Sequence, residues 1–183
     1  MSLRTVFQTL RYKNNNAEVL THGPYACNKS NAWLHDGYYF WEEFIEPAHH
    51  WGKTWCAKKY IITGGECLIF ENQLFDLVGN LHHIREMRET VEYLTEKGLV
   101  TEDTTVAHVI DFLKKQEVFD YLAIRADTTN AFRQKYKLAV LKYDVNNETI
   151  LVMNPAVQIC IYDLEKALFY GFRIVYPEVE QSA

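Results

Sequence analysis

An α+β protein, with split, mostly antiparallel β-sheets and a helical segment between them, is expected from three observations. The first part of the chain carries strand-like runs separated by turn residues. The middle carries two apolar stripes at helical spacing, and the last part returns to short β-prone runs. With 183 residues, 48% hydrophobic and 23% charged, the chain is long enough to bury one substantial core, so residues 1–183 are read as a single domain.

Thr5 to Tyr12 places Val6, Phe7, Leu10 and Tyr12 in a short run and reads as the opening strand. Lys13-Asn14-Asn15-Asn16 marks a turn, Glu18 to Leu20 begins a short helix or strand, and His22-Gly23-Pro24 breaks it. Asp36-Gly37 supplies turn chemistry, and Tyr38 to Trp41 are four aromatics in a row with high β propensity. Pro47 suits a first helical turn, so Pro47 to Gly52 reads as a short helix. Lys59 to Thr63 and Glu66 to Phe70 flank Gly64-Gly65 and fit one hairpin or one bulged strand.

Leu77, Leu81, Ile84, Met87, Val91 and Leu94 recur at three- and four-residue steps, with Asp76 as the expected N-cap and Gly98 as the left-handed stop. Val106, Val109, Ile110 and Leu113 form a second stripe, capped by Thr105. Tyr121 to Arg125, Lys137 to Tyr143, Ile150 to Met153, Val157 to Tyr162 and Phe169 to Tyr176 complete the strands.

Charge and cysteines narrow the function. A net charge of −5 argues against a large nucleic-acid footprint. Cys27, Cys56, Cys67 and Cys160 are far apart and form no C-x-x-C pair. Without a leader or a long apolar run, a reduced cytoplasmic setting is expected, with no membrane partner. Adjacent histidines, His49-His50 and His82-His83, point in different directions on a helix, unlike an i, i+4 zinc pair, so no metal site is expected.

The stretch Trp33-Leu34-His35-Asp36-Gly37-Tyr38-Tyr39-Phe40-Trp41, followed by Pro47-Ala48-His49-His50-Trp51-Gly52, resembles the second conserved block of the ADP-ribosyltransferase fold, in the branch of diphtheria toxin and the poly-ADP-ribose polymerases. The resemblance implies NAD as substrate and an unknown protein or small-molecule acceptor. It implies Tyr39 as the residue stacking on nicotinamide, Gly37 as the tight turn before it, Tyr38 beside it, and Ala48 and Trp51 in the helix packed behind.

Two further blocks depart from the family. Asn154 to Tyr162 has the shape of the late strand that carries the family's catalytic glutamate, but Gln158 stands at that position. A neutral amide can hydrogen-bond a ribose yet supplies no full negative charge toward an oxocarbenium-like centre. On the opening strand, Phe7-Gln8-Thr9 aligns with aromatic-His-Gly, placing Gln8 at the histidine position and Thr9 at the glycine. A shifted alignment brings Arg11 forward as a phosphate ligand, and strand alternation puts Arg11 on the opposite face from Gln8. Three readings follow: an NAD-dependent ADP-ribosyltransferase, an inactive module that binds NAD, ADP-ribose or a related nucleotide, or an interaction protein whose pocket is filled by its own aromatics.

Other charged residues are expected to be ordinary surface. His35 is read as a solvated loop residue, Glu42 and Glu43 as favourable charge in the first turn of a helix, and Arg125, Asp127 and Arg133 as a charged connection.

Overall fold

The computed structural model describes residues 2–28, 32–129, 136–146 and 148–177. Within them the order is β1 (Ser2–Arg11), α1 (Asn16–His22), β2 (Tyr38–Glu42), α2 (Glu46–Trp55), β3 (Tyr60–Ile69), β4 (Leu74–Asp76), α3 (Leu81–Glu96), α4 (Val106–Lys115), β5 (Ala123–Asp127), β6 (Val140–Lys142), β7 (Ile150–Val152), β8 (Val157–Ile161) and β9 (Tyr170–Tyr176). The chain is α+β, and its sheet is mostly antiparallel.

Seven strands form one sheet in the order β4-β5-β8-β2-β1-β3-β9, and β6 and β7 make a separate ribbon. Only β4 and β5 run parallel. Parallel neighbours need a long crossover, and here α3 and α4 supply it. The seam between β2 and β1 is short. It has two registered pairs, Val6 with Glu42 and Phe7 with Trp41, whereas β1 pairs with β3 over ten residues. Beyond Phe7 the strands β1 and β2 part, leaving a fork in the sheet.

Register decides what each face carries, because residues directly opposite on antiparallel strands share a face. Tyr39 faces Cys160 and Trp41 faces Gln158, so these four share one face. On the β1–β3 side of that face, α2 packs Ala48 with Phe7, Trp41 and Ile62. On the β5–β8 side, α4 and the loop before β2 pack Ile110 and Leu34 with Ile124 and Cys160. The opposite face buries Val6, Phe40, Ile159 and Ile161 beneath Ala167 and Phe169.

Of the two readings of Gly64-Gly65, the bulged strand holds and the hairpin does not: both glycines sit inside one continuous strand, β3, whose register against β9 shifts around them. A Cβ on Gly65 would lie 2.5 Å from the Phe169 ring, so close ring approach explains the glycine. The cap of α3 is Asn80, whose side chain accepts from His82 and His83 N–H. Asp76 instead ends β4, where its carboxylate accepts from Val78 and Gly79 N–H. The apolar stripe thus begins before the helix does. Thr105 caps α4 as expected, and Gly98 is left-handed at φ 68°.

Glu42 is not in a helix. It ends β2, is 3% exposed, and pairs with Arg4 and Arg125. Arg125 lies within β5 and also bonds Asp76 at 3.2 Å, so it belongs to a buried ion network and not to a surface loop. Arg133 lies outside the described residues.

Candidate functional site

The fork opens into a cleft of about 320 Å³. Its floor is strand side chains, Tyr39 and Trp41 from β2 and Gln158 from β8. Trp51 of α2 lines one side, Trp33 another, and the segment from Tyr25 to Cys27 a third, with Gln8 and Thr9 at the edge of β1. Four of the expected site residues (Gln8, Thr9, Tyr39 and Gln158) therefore meet, although Gln8 and Gln158 are 150 positions apart. No charged side chain lines the cleft among the described residues.

Gln158 has a defined orientation. The Trp33 indole donates to its Oε1 at 2.9 Å. An indole N–H can only donate, so the amide oxygen must face Trp33 and the amide NH2 must point elsewhere. That NH2 has no acceptor among the described residues and is the cleft's available donor.

Tyr39 is held at both ends. Its backbone pairs with Cys160, while its hydroxyl accepts from Leu34 N–H at 2.7 Å and donates to the His35 carbonyl at 2.8 Å. Burial, then the neighbouring Cys160 thiol, raises the phenol above its ordinary value, so it stays protonated. Its ring is left as a fixed flat wall.

Gln8 is 7% exposed, and its amide is committed to backbone. Nε2 donates to Tyr25 O at 2.9 Å and Tyr39 O at 3.3 Å, and Oε1 accepts from Tyr25 N–H at 2.9 Å. Both N–H donors are used. Gln8 fastens the Tyr25 wall across the fork, and one lone pair of Oε1 remains for a ligand. Thr9 is likewise occupied, donating from Oγ1 to the Ala48 carbonyl of α2 at 2.8 Å.

The remaining expected residues lie outside the cleft. Arg11 is exposed and donates to the Trp55 carbonyl at the end of α2. It thus lies on the face that α2 covers, and Gln8 is the one of the two in the cleft lining. Tyr38 packs on the opposite face, beside the Val6 and Phe40 core. Gly37 is required for space: a Cβ there would lie 2.6 Å from Cys160 Sγ and 2.9 Å from Ile161 O. The left-handed residue of this turn is His35, at φ 73°. Its imidazole is not simply solvated, with Nδ1 3.4 Å from Lys114 Nζ and Nε2 3.7 Å from Asp111.

Trp33, Trp41 and the cleft-facing part of Trp51 are residues that sequence reasoning did not place in the site. A signal was present for Trp41, because period-2 alternation from Tyr39 puts it on the same face. For Trp33 there was none, since its position depends on a loop fold.

Comparison with known proteins returns no match: no family model, no curated protein and no solved structure is significantly similar to the chain.

Proposed function

We propose that the cleft binds the nicotinamide half of NAD and that the chain is an ADP-ribosyltransferase acting on an unidentified acceptor. The observation that carries this reading is the convergence of Tyr39, Trp41, Trp51 and Gln158 on one cleft at the fork between β1 and β2. The nicotinamide ring of NAD is a flat cation, and indole and phenol faces attract such rings electrostatically. An uncharged, aromatic cleft suits that half of the molecule. At about 320 Å³ the cleft is at the small end of ligand sites, so the adenosine half would lie outside it. The short seam, with strands that part beyond it, supports the split-sheet architecture of this fold.

In the reaction, the bond from C1′ of the ribose to nicotinamide breaks and its electron pair leaves with the ring. Positive charge passes to the ribosyl C1′–O4′ unit, and an acceptor nucleophile forms the new bond at C1′ and loses its proton. Tyr39 and Trp51 would orient the ring. The Gln158 NH2 would donate to a ribose oxygen or to the acceptor. Rate enhancement would rest on orientation, because no carboxylate lines the cleft among the described residues.

Nicotinamide release from NAD, and NAD binding, test the proposal in the native chain, Tyr39→Ala and Gln158→Glu. A glutamate can keep the Trp33 hydrogen bond and adds the missing charge. It should raise release by about tenfold or more, and Tyr39→Ala should abolish release and binding. If neither the native chain nor Gln158→Glu binds NAD, the reading is wrong. A second reading, NAD binding without turnover, is favoured by the neutral amide at position 158. It predicts native binding with release only in Gln158→Glu.

A further inference from the structure

Helix α2 sits on the sheet with Ala48 and Gly52 inward. At 100° per residue, Trp51 projects to one side of that contact and Glu46, His49 and Lys53 to the other. The second side borders a cavity of about 680 Å³, twice the size of the cleft. Its far wall is the segment from Tyr136 to Ala139, and its end is closed by Tyr60 and Tyr176. We propose that this cavity is a second binding site, for a nucleotide.

Three features of the cavity carry the proposal. Its lining is flat and aromatic: Tyr60 and Tyr176 stack with centroids 5.0 Å apart, His49 meets Tyr176 edge-on at 4.7 Å, and His50 meets Tyr136 at 5.5 Å. Such faces receive a planar heterocycle. Among the described residues its charge is the reverse of the molecule's, with Lys53 and Lys137 against one acid, Glu46, in a chain of net charge −5. A local excess of cations attracts phosphate. Glu46 offers an acceptor to a base's exocyclic amine.

Its walls are also built before any ligand arrives. The Asn154 amide accepts from Ala139 N–H at 2.7 Å and donates to Lys137 O at 3.1 Å, and the Tyr136 hydroxyl donates to Asn154 O. These bonds fix the far wall to the start of β8. On the near wall, His49 Nδ1 lies 3.0 Å from the Tyr60 hydroxyl. Burial, and then Lys53, lowers the His49 pKa, so the imidazole is neutral at pH 7; Tyr60 engages Nδ1, and Nε2 is left for a base edge. The cleft, with no charge among its described lining residues, suits a cationic ring, whereas this cavity suits a neutral base that carries an anionic phosphate. The inference does not depend on NAD binding in the cleft.

Calorimetric titration of AMP, GMP, CMP and UMP into the full chain tests it, with Lys53→Glu and Trp51→Leu alongside. Lys53 is exposed, whereas Trp51 packs on the Ala48 core, so native-like circular dichroism and unfolding midpoints are required of both variants before titration. At least one nucleotide should bind with a Kd below about 1 mM; Lys53→Glu should weaken it about tenfold or more, and Trp51→Leu less than about twofold. No binding by any nucleotide overturns the proposal. So does a loss in Trp51→Leu that equals or exceeds the loss in Lys53→Glu, because that result puts the nucleotide in the cleft.

Discussion

Gln8 shows how one side chain can serve a site without being its chemistry. Its amide meets the Tyr25 backbone amide in both directions and reaches the Tyr39 carbonyl, all at the point where β1 and β2 separate. Replacement by leucine keeps the volume but leaves the half-buried Tyr25 N–H without its partner. Gln8→Leu should therefore cost about 1–3 kcal/mol in denaturant unfolding. Unchanged stability would mean that the Tyr25 wall is held by something else. Asp76 is a second case. Burial alone would raise its carboxyl, but the Gly79 and Val78 N–H groups and the Arg125 guanidinium outweigh it and hold the value below the ordinary one. A depressed folded value means that the unfolded chain binds the proton first as pH falls. The contribution is present in full above about pH 4 and is lost as pH drops through the folded value. Asp76→Asn should thus lower stability at pH 7 and flatten its decline below pH 4, measured as unfolding midpoints across pH. An equally steep decline in the variant would rule out this origin.

Most elements were legible because they rest on local pattern. The stripe of α4, the aromatic run of β2 and the alternation of β1 name a core face directly from spacing. On α3 only the later part of the stripe, Met87, Val91 and Leu94, packs inward, and Leu81 and Ile84 are exposed. The misread boundaries have one physical cause. An aspartate and an asparagine four positions apart, Asp76 and Asn80, can both cap a helix, and only tertiary contacts decide between them. Arg125 on β5 claims Asp76, so the cap falls to Asn80. Asn80→Ala should cost about 1 kcal/mol through loss of the cap. In the site, Tyr39, Gln158 and Gln8 were named by the family resemblance, and the strands that carry them bring them to one cleft. Trp33 lies in a turn whose path is set by Tyr39 Oη and His35, and no spacing in the sequence encodes that. Strand alternation alone turns Tyr38 away from the cleft, whereas Arg11 shares a face with Thr9 and is carried past the cleft to the end of α2.

The molecule as a whole is two half-sheets joined by a seam of two registered pairs. So short a join leaves few backbone hydrogen bonds to keep the fork from widening. On the face opposite the cleft, Glu42 at the seam pairs with Arg4 of β1 and with Arg125 of β5 at 2.9 Å, and Arg125 reaches on to Asp76 of β4. This network spans the seam and ties β1 to three strands of the other half. Buried ion pairs do not by themselves add much stability, because desolvation offsets their attraction. Removing one partner is different, since it leaves a buried charge uncompensated. Arg125→Met should therefore cost about 3 kcal/mol, toward the low end for a broken buried pair because Arg4 still holds Glu42. Arg85→Met, which breaks the exposed Arg85–Glu89 pair on α3, should cost under about 0.5 kcal/mol. Denaturant unfolding of the two variants, with amide exchange read at Phe7 and Trp41, distinguishes a clamp from a passive cluster. Equal costs, or seam amides that exchange no faster in Arg125→Met, would show that the two pairs of backbone register are enough to hold the fork. Faster exchange confined to the seam would show that the width of the cleft is set from the opposite face of the sheet.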